Sequence, residues 1–205
     1  IDETYVFYNP KAGISYTRGG HKAYASVAYA NREPERNNFT DNSSAALPKA
    51  EHLFDTELGY QYRTANWYAS ANLYYMRYIN QFVMTGAKSD IGEAITSNIK
   101  NSYRLGAELS AGWSPLQWLS LEGNAALSQN KLKNFTEEVE AWDTEAVHNT
   151  YAKSTLSYSP SAILNGFVDV HFGGFSATWH TNFVSRQYLD NTQSSERSIP
   201  SYSQT

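Results

Sequence analysis

The chain has 205 residues, a formal net charge of −4 and no cysteine. The small negative charge argues against a nucleic-acid-binding role that relies on a basic surface, and the lack of cysteine excludes disulfide bonds and cysteine-ligated zinc. No apolar run approaches the roughly 18 residues that a membrane helix requires, although a β-barrel would show only a weak alternating pattern in each strand.

Alternating apolar and polar residues predict antiparallel β-strands along most of the chain. Paired glycines in Arg18–His21 mark a tight turn between the first two strands, because they supply the positive φ that two-residue hairpins need. Pro160 is expected to interrupt the seventh strand at 159–161. The predicted strands are residues 12–17, 23–29, 56–63, 67–79, 103–113, 118–128, 151–170 and 175–183, and the last residues look like the start of a ninth.

The connections between these strands alternate between short and long. The long ones are predicted at 31–50, 80–98 and 131–150, and a further polar segment follows 183. Up-and-down transmembrane barrels have short periplasmic turns and long extracellular loops. Tryptophans lie beside the short turns, as an interfacial aromatic belt would require: Trp67, Trp113 and Trp118. This pattern favours a transmembrane barrel over a soluble β-sandwich.

The predicted hairpin at 103–128 has one apolar and one charged face. Arg104, Glu108 and Glu122 lie on the charged face. In a barrel the apolar residues would face lipid, whereas in a sandwich they would pack against a second sheet. These apolar residues include Leu105, Leu109, Leu119 and Leu121.

Several stretches resemble, in the family's order, the C-terminal barrel of TonB-dependent outer-membrane receptors, particularly those of the Bacteroidetes type. They are Phe7–Gly13, Ala28–Pro34 with Arg36–Phe39, Glu57–Tyr60, Ala71–Met76 and Ser185–Thr192. The resemblance implies an all-β, antiparallel up-and-down transmembrane β-barrel of roughly 22 strands, of which this segment would supply about eight or nine. Residues 1–205 are therefore expected to be a partial barrel domain, without the plug domain and without the C-terminal strand.

The resemblance also implies a function and partners. The whole protein would be a receptor in the outer membrane of a Gram-negative cell, taking up a scarce small-molecule nutrient by active, TonB-energised transport. An iron–siderophore complex is the favoured nutrient; haem, cobalamin and glycans are alternatives. The expected partners are outer-membrane lipid, the protein's own N-terminal plug domain, the TonB complex through the missing N-terminal region, and the nutrient. No cofactor and no nucleic acid is expected. Two unpaired sheet edges predict that the isolated segment associates.

Six residues are candidate ligand contacts. Arg32 and Arg36 could hold an anionic ligand through the guanidinium fork, while Arg104 and Glu108 could belong to a ligand track. A structural role is the favoured alternative. Arg32 and Arg36 would then lie at a corner where the strand leaves the membrane, while Arg104 and Glu108 would belong to a polar wall that packs on the plug through cross-strand ion pairs. The same wall would include Glu57, Arg63 and Glu122. His180 could also contact a ligand, but an ordinary lumen residue that is hydrogen-bonded to its neighbours is favoured. Arg186 has the same two interpretations as Arg32 and Arg36.

An acidic stretch could bind Ca²⁺, but it lacks the spacing of an EF-hand, and a solvated extracellular loop is favoured. It contains Glu137, Glu138, Glu140, Asp143, Glu145 and His148. The five histidines show no metal-binding spacing, and no nucleophile elbow or phosphate-binding loop is present. The protein is thus not expected to be an enzyme. Glu57 and Glu108 could be posited as a catalytic acid and base, but the sequence does not indicate that their carboxyl groups come close enough together. The rival function is a soluble or surface-attached β-sandwich that binds glycans through its tyrosines.

Overall fold

The computed structural model describes residues 3–40, 47–89, 91–139 and 147–205. Within these residues the chain is almost entirely β, with one short helix, α1 (Arg36–Thr40). None of the described helical structure is long and apolar enough to span a membrane. The strands are β1 (Lys11–Arg18), β2 (His21–Arg32), β3 (Glu51–Arg63), β4 (Trp67–Lys88), β5 (Ala94–Leu116), β6 (Leu119–Val139), β7 (Val147–Thr155), β8 (Ala162–Phe172), β9 (Phe175–Val184), β10 (Gln187–Tyr188), β11 (Ser198–Ile199) and β12 (Tyr202–Gln204).

One antiparallel sheet contains ten of these strands. Its order is β1-β2-β3-β4-β5-β6-β8-β9-β12, with β7 also paired to β6, while β10 and β11 form a separate pair. Each long strand thus pairs with its neighbours in the chain, as up-and-down topology requires. The sheet is open, with β1 and β12 at its edges. The predicted fold class, a segment of an antiparallel barrel, is confirmed.

The register brings apolar side chains together on one face of the sheet. Leu109 lies opposite Ala71 and Ala125, and Leu73 lies opposite Leu58 and Ala107. Although they are apolar, Leu109 is 43% exposed and Leu73 is 52% exposed. No second sheet covers this face within the described residues, so the sandwich alternative is wrong and the face is suited to contact lipid.

The apolar face has the height of a membrane's hydrocarbon layer. Trp67 and Trp113 face each other at the end with the short turns, and Trp179 lies opposite Val168 at the same level. Ten residues along β5 separate Trp113 from Tyr103, which is about 33 Å along the strand, or about 25 Å after a typical barrel tilt. Barrels have an apolar band of about that height.

Two of the long loops predicted from sequence are wrong. Residues 80–98 belong mostly to β4 and β5, and residues 131–139 and 147–150 belong to β6 and β7, so these strands extend well beyond the apolar band. Asn80 has φ 55° and Asn134 has φ 54°. Such a left-handed residue reorients the strand. In β4 the odd-numbered residues from 73 to 79 are exposed, whereas the odd-numbered residues from 81 to 87, after Asn80, are buried. The change of phase hides the strand pattern in the sequence.

The predicted interruption at 159–161 is confirmed. The predicted seventh strand divides into β7, which pairs with the outer part of β6, and β8, which pairs with its inner part. Between them the chain leaves the sheet at 156–161, where Pro160 has no amide proton to donate.

The buried core lies at the end with the long hairpins. It contains Val83, Ile99, Leu132 and Phe135, with Tyr151 and Leu156 packed against it. Elsewhere the sheet has no protein layer on either face among the described residues. This small core therefore stabilises the projecting hairpins rather than the membrane-spanning part of the sheet.

Candidate functional site

The face opposite the apolar one is polar and contains two cavities that share Asn72 and Glu108. The first has a volume of about 470 Å³ and is also lined by Tyr24, Gln61, Ser70, Ser110 and Asn124. The second has a volume of about 330 Å³ and is also lined by Glu57, Tyr74, Arg104, Ser128 and Asn130. In a closed barrel this face would line the lumen.

Tyrosine rings lie flat enough on this face to cover glycines of the neighbouring strand. Tyr74 lies across Gly106, and a Cβ atom at Gly106 would also come within 2.6 Å of the Leu127 carbonyl oxygen. Glycine leaves the space of a side chain empty, so the ring can rest against the strand instead of projecting into the lumen. Two further pairs repeat the arrangement: Tyr24 on Gly59 and Tyr68 on Gly112.

Arg104 and Glu108 lie together on the polar face but do not pair. The Arg104 guanidinium lies 5.1 Å from the centroid of the Tyr78 ring. Glu108 is exposed and accepts a hydrogen bond from Asn72 Nδ2 at 3.5 Å. Their spacing of four residues on one strand places their Cα atoms about 13 Å apart.

The cross-strand ion pairs expected on this face do not form. The four ion pairs within the described residues involve only Arg32 and Arg197 as cations. The register explains this, since Arg104 lies opposite Met76 and Asn130 and no charged residue faces it directly. Among the described residues, the charges of this polar face are therefore not neutralised by ion pairs.

Several polar atoms on this face are buried without a partner. They are Asp55 Oδ1, Asn72 Oδ1 and Arg104 Nε. Asp55 and Arg104 both lie opposite Met76, one on each side. Buried polar atoms in folded proteins are nearly always hydrogen-bonded, so these three atoms are exceptions on this face.

His180 lies on the same face, at a distance from Arg104 and Glu108. Its ring stacks on Phe167 with centroids 4.3 Å apart and an interplanar angle of 1°. Its Nε2 is 3.4 Å from Asn165 Oδ1, which also accepts a hydrogen bond from Asn182 Nδ2. Because β6 and β8 separate β9 from β5, His180 belongs to a different part of the wall.

The other candidates lie near the end with the long hairpins and are not brought together. Arg32 contacts Glu51 Oε2 at 3.2 Å and Glu35 Oε1 at 3.8 Å, so its fork is already engaged by carboxylates. Arg36 begins α1 and is exposed. Arg186 is exposed beside a different cavity, at the break between β7 and β8. Of the six candidates, only Arg104 and Glu108 lie in one place.

A charged cluster that the sequence did not reveal lies beside the small core. Glu137 is only 3% exposed and accepts hydrogen bonds from Arg197 Nη1 at 3.0 Å and Tyr151 Oη at 3.1 Å. Arg197 Nε also contacts Asp190 Oδ2 at 2.9 Å. The expected solvated loop is thus wrong for Glu137, while Glu140, Asp143 and Glu145 lie outside the described residues.

The electrostatics of this cluster favour the charged arginine and the neutral tyrosine. Burial raises the pKa of Tyr151, and its hydrogen bond to Glu137 raises it further. Burial lowers the pKa of Arg197, but the hydrogen bond to Glu137 and the charge of Asp190 outweigh this, so the net shift is upward. Both shifts are consequences of these contacts.

The cluster holds residues 185–201, here called the folded-back segment, against the projecting hairpins. Asn191 is 1% exposed; its Nδ2 donates to the Met84 carbonyl oxygen at 2.9 Å, and its Oδ1 accepts from the Ser157 amide at 2.8 Å. The turn at Asp190 and Thr192 is a local signal, because the Thr192 amide donates to Asp190 Oδ1. The contact of Asn191 with Met84 could not be predicted, because the two residues are far apart in the sequence.

Comparisons with known proteins agree with this structure. The family model described as "TonB dependent receptor-like, beta-barrel" matches residues 1–205. None of the curated proteins searched matches the chain.

Solved structures have the same fold over most of the chain. They include the "Copper transporter OprC" (TM-score 0.68, 13% identity, 94% of this chain and 29% of that one). The ferric-catecholate import receptor Fiu from E. coli has a TM-score of 0.66 and 16% identity, covering 94% of this chain and 27% of that one. The ferric yersiniabactin uptake receptor FyuA from Yersinia pestis has a TM-score of 0.62 and 19% identity, covering 95% of this chain and 28% of that one.

The chain thus spans less than a third of the length of these solved structures. At such identities they show the fold alone, whereas the family model covers every residue. The chain is therefore part of a Gram-negative outer-membrane β-barrel and belongs to the TonB-dependent receptor family.

Proposed function

We propose that the protein containing this chain imports a scarce nutrient across the outer membrane by active, TonB-energised transport. An iron–siderophore complex is the favoured class, with haem, cobalamin and glycans as alternatives. The proposal is supported by the family match and by structural neighbours described as importing ferric siderophores.

One observation carries the proposal: a membrane-spanning sheet whose lumen face has charges without ionic partners and buried polar atoms without hydrogen bonds. Arg104, Asn72 and Asp55 supply these atoms. A purely structural wall would leave such groups unsatisfied at a cost of about 1–3 kcal/mol each. A plug domain packed on this face would provide partners for the exposed Glu108 and the partly exposed Arg104 in the resting receptor, and its movement would free these charges for the nutrient.

The mechanism follows from the positions of these parts. The projecting hairpins and the folded-back segment would meet the nutrient first, since they extend beyond the apolar band. Arg104 and Glu108 lie deeper, on the wall that the nutrient would pass. Removal of the plug's contacts by the TonB complex would then open a path along this wall.

The test is uptake by cells in which the full-length gene is the only receptor for the probe. We expect radiolabelled ferric catecholate or ferric hydroxamate complexes to enter only when TonB is functional, and Arg104→Ala to lower the uptake roughly tenfold, as loss of a charged contact does. Arg77→Ala is the matched control, because Arg77 lies on the apolar face opposite Tyr103. Uptake that is independent of TonB would contradict the proposal.

A further inference from the structure

A tyrosine and a glycine meet on the polar face at the row of residues where its two cavities adjoin. The register places Tyr24, Gly59, Asn72 and Glu108 side by side on four neighbouring strands. Asn72 and Glu108 line both cavities, while Tyr24 lines the cavity nearer the short turns. A nutrient that moves along the wall from one cavity to the other must therefore cross this row.

The Tyr24 ring lies over Gly59 instead of projecting from the wall. A Cβ atom at Gly59 would have Cε1, Cζ and Oη of Tyr24 as its three nearest neighbours, all within 2.6 Å. Gly59 is buried even though the sheet has a single layer here, because the ring covers it. Glu57 and Gln61 are the next residues of β3 that face the lumen, so the glycine leaves a recess between two larger side chains.

A side chain at position 59 would force the ring toward the lumen. Alternate residues of a strand point to one face, so a Cβ atom at Gly59 would point into the lumen as Glu57 and Gln61 do. The Tyr24 ring is rigid and moves only by rotation about its two χ angles, so it would have to swing away from the strand. Gly59 and Tyr24 together therefore fix how far the wall protrudes at this row.

The pair of Gly59 and Tyr24 allows this protrusion to change without a shift of the backbone. At Gly106, by contrast, a Cβ atom would also meet the Leu127 carbonyl oxygen, so the strand itself would have to move. At Gly59 the three nearest atoms all belong to one flexible side chain. A substitution at position 59 therefore changes the lumen and leaves the sheet in place.

We propose that Gly59 and Tyr24 set the clearance of the lumen path, meaning the space between this wall and the groups opposite it, and thereby limit the size of the nutrient that the receptor imports. This role rests on the proposed function, because the path along this wall must be the route of import. With glycine at position 59 the ring lies against the strand and the path stays wide. The pair acts by steric exclusion, so it selects by size rather than by charge.

The experiment measures TonB-dependent uptake by cells in which the full-length gene is the only receptor for two probes. The probes are a radiolabelled ferric trihydroxamate and the same complex with a bulky dye attached, so they share one iron centre and differ in size. Gly59→Ala should lower the uptake ratio of bulky to plain complex roughly tenfold, as overpacking of a fitted site does. Tyr24→Ala should raise this ratio, and the double variant should behave as Tyr24→Ala does. Tyr24→Trp, which enlarges the ring over an unchanged glycine, should lower the ratio.

Gly166→Ala is the matched control and should leave the ratio unchanged. Gly166 lies opposite Gly123 on the apolar face, and a Cβ atom there would meet no atom within 4 Å in the described part of the chain. A ratio that none of the variants at positions 24 and 59 changes would overturn the proposal, as would a double variant that behaves as Gly59→Ala does. Uptake of neither complex by the unchanged protein would instead contradict the iron–siderophore function, and the size selection would fall with it. Heat-modified mobility on gels verifies that each variant has folded.

Discussion

Leu109→Arg is expected to destabilise the full-length barrel in a lipid bilayer by about 2–4 kcal/mol, the cost of a lipid-facing arginine near the midplane. Leu109 is exposed on the apolar face, between Trp113 at one boundary and Tyr103 at the other. An arginine here must place its charge in hydrocarbon or distort the bilayer to reach water. Urea titration of the protein folded into phospholipid vesicles measures the change.

Ser110→Arg is the matched control for this substitution. Ser110 is the next residue of β5, on the polar face, where its hydroxyl lies 2.6 Å from that of Ser70. Its replacement loses one neutral hydrogen bond, worth about 1 kcal/mol, but keeps the new charge in the lumen. Equal destabilisation by the two arginines would contradict the assignment of faces.

Arg197→Gln is expected to release the folded-back segment without unfolding the barrel. Glu137 would remain buried with hydrogen bonds from Tyr151 and Asn149 but without its cation. Breaking a buried ion pair is costly, and because the Arg197 side chain is 51% exposed we expect the lower part of the range, about 1–3 kcal/mol. Local opening of this size raises amide exchange roughly 5- to 150-fold in the segment.

Hydrogen exchange of the full-length protein tests this directly. The Leu189 amide, which donates to the Arg197 carbonyl oxygen, should exchange faster in the variant. Arg186→Gln is the control, because Arg186 lies in the same segment, is exposed and belongs to none of the ion pairs among the described residues. An unchanged exchange rate in Arg197→Gln would show that the cluster does not hold the segment.

The membrane-spanning part of the fold could be predicted from sequence because each strand alternates strictly there. Leu105, Leu109 and Trp113 share one face in the sequence pattern and in the structure. In up-and-down topology consecutive strands are neighbours in the sheet, so the order of the sheet follows as well. The projecting hairpins could not be predicted, because the left-handed residues Asn80 and Asn134 change the phase of the alternation.

The candidate site was only partly predictable for a related reason. Arg104 and Glu108 share a face because they are four residues apart on one strand, which the sequence shows. The contacts of Asn191 with Met84 and of Arg197 with Glu137 join residues far apart in the chain, and no local pattern encodes them. The Bacteroidetes type stays a prediction.

Spin labels on β5 can test directly whether the apolar face of this sheet meets lipid while the polar face lines the lumen. Because residues 1–205 contain no cysteine, single cysteines at positions 104 to 111, except Gly106 where a side chain would clash, can carry a nitroxide label in a full-length protein free of other cysteines. Collisions of the label with oxygen, which dissolves in lipid, and with a water-soluble nickel chelate then report the surroundings of each position. We expect high oxygen and low nickel accessibility at 105, 107, 109 and 111, with low oxygen accessibility at the labelled positions between them. The reverse phase, or no alternation at all, would contradict it.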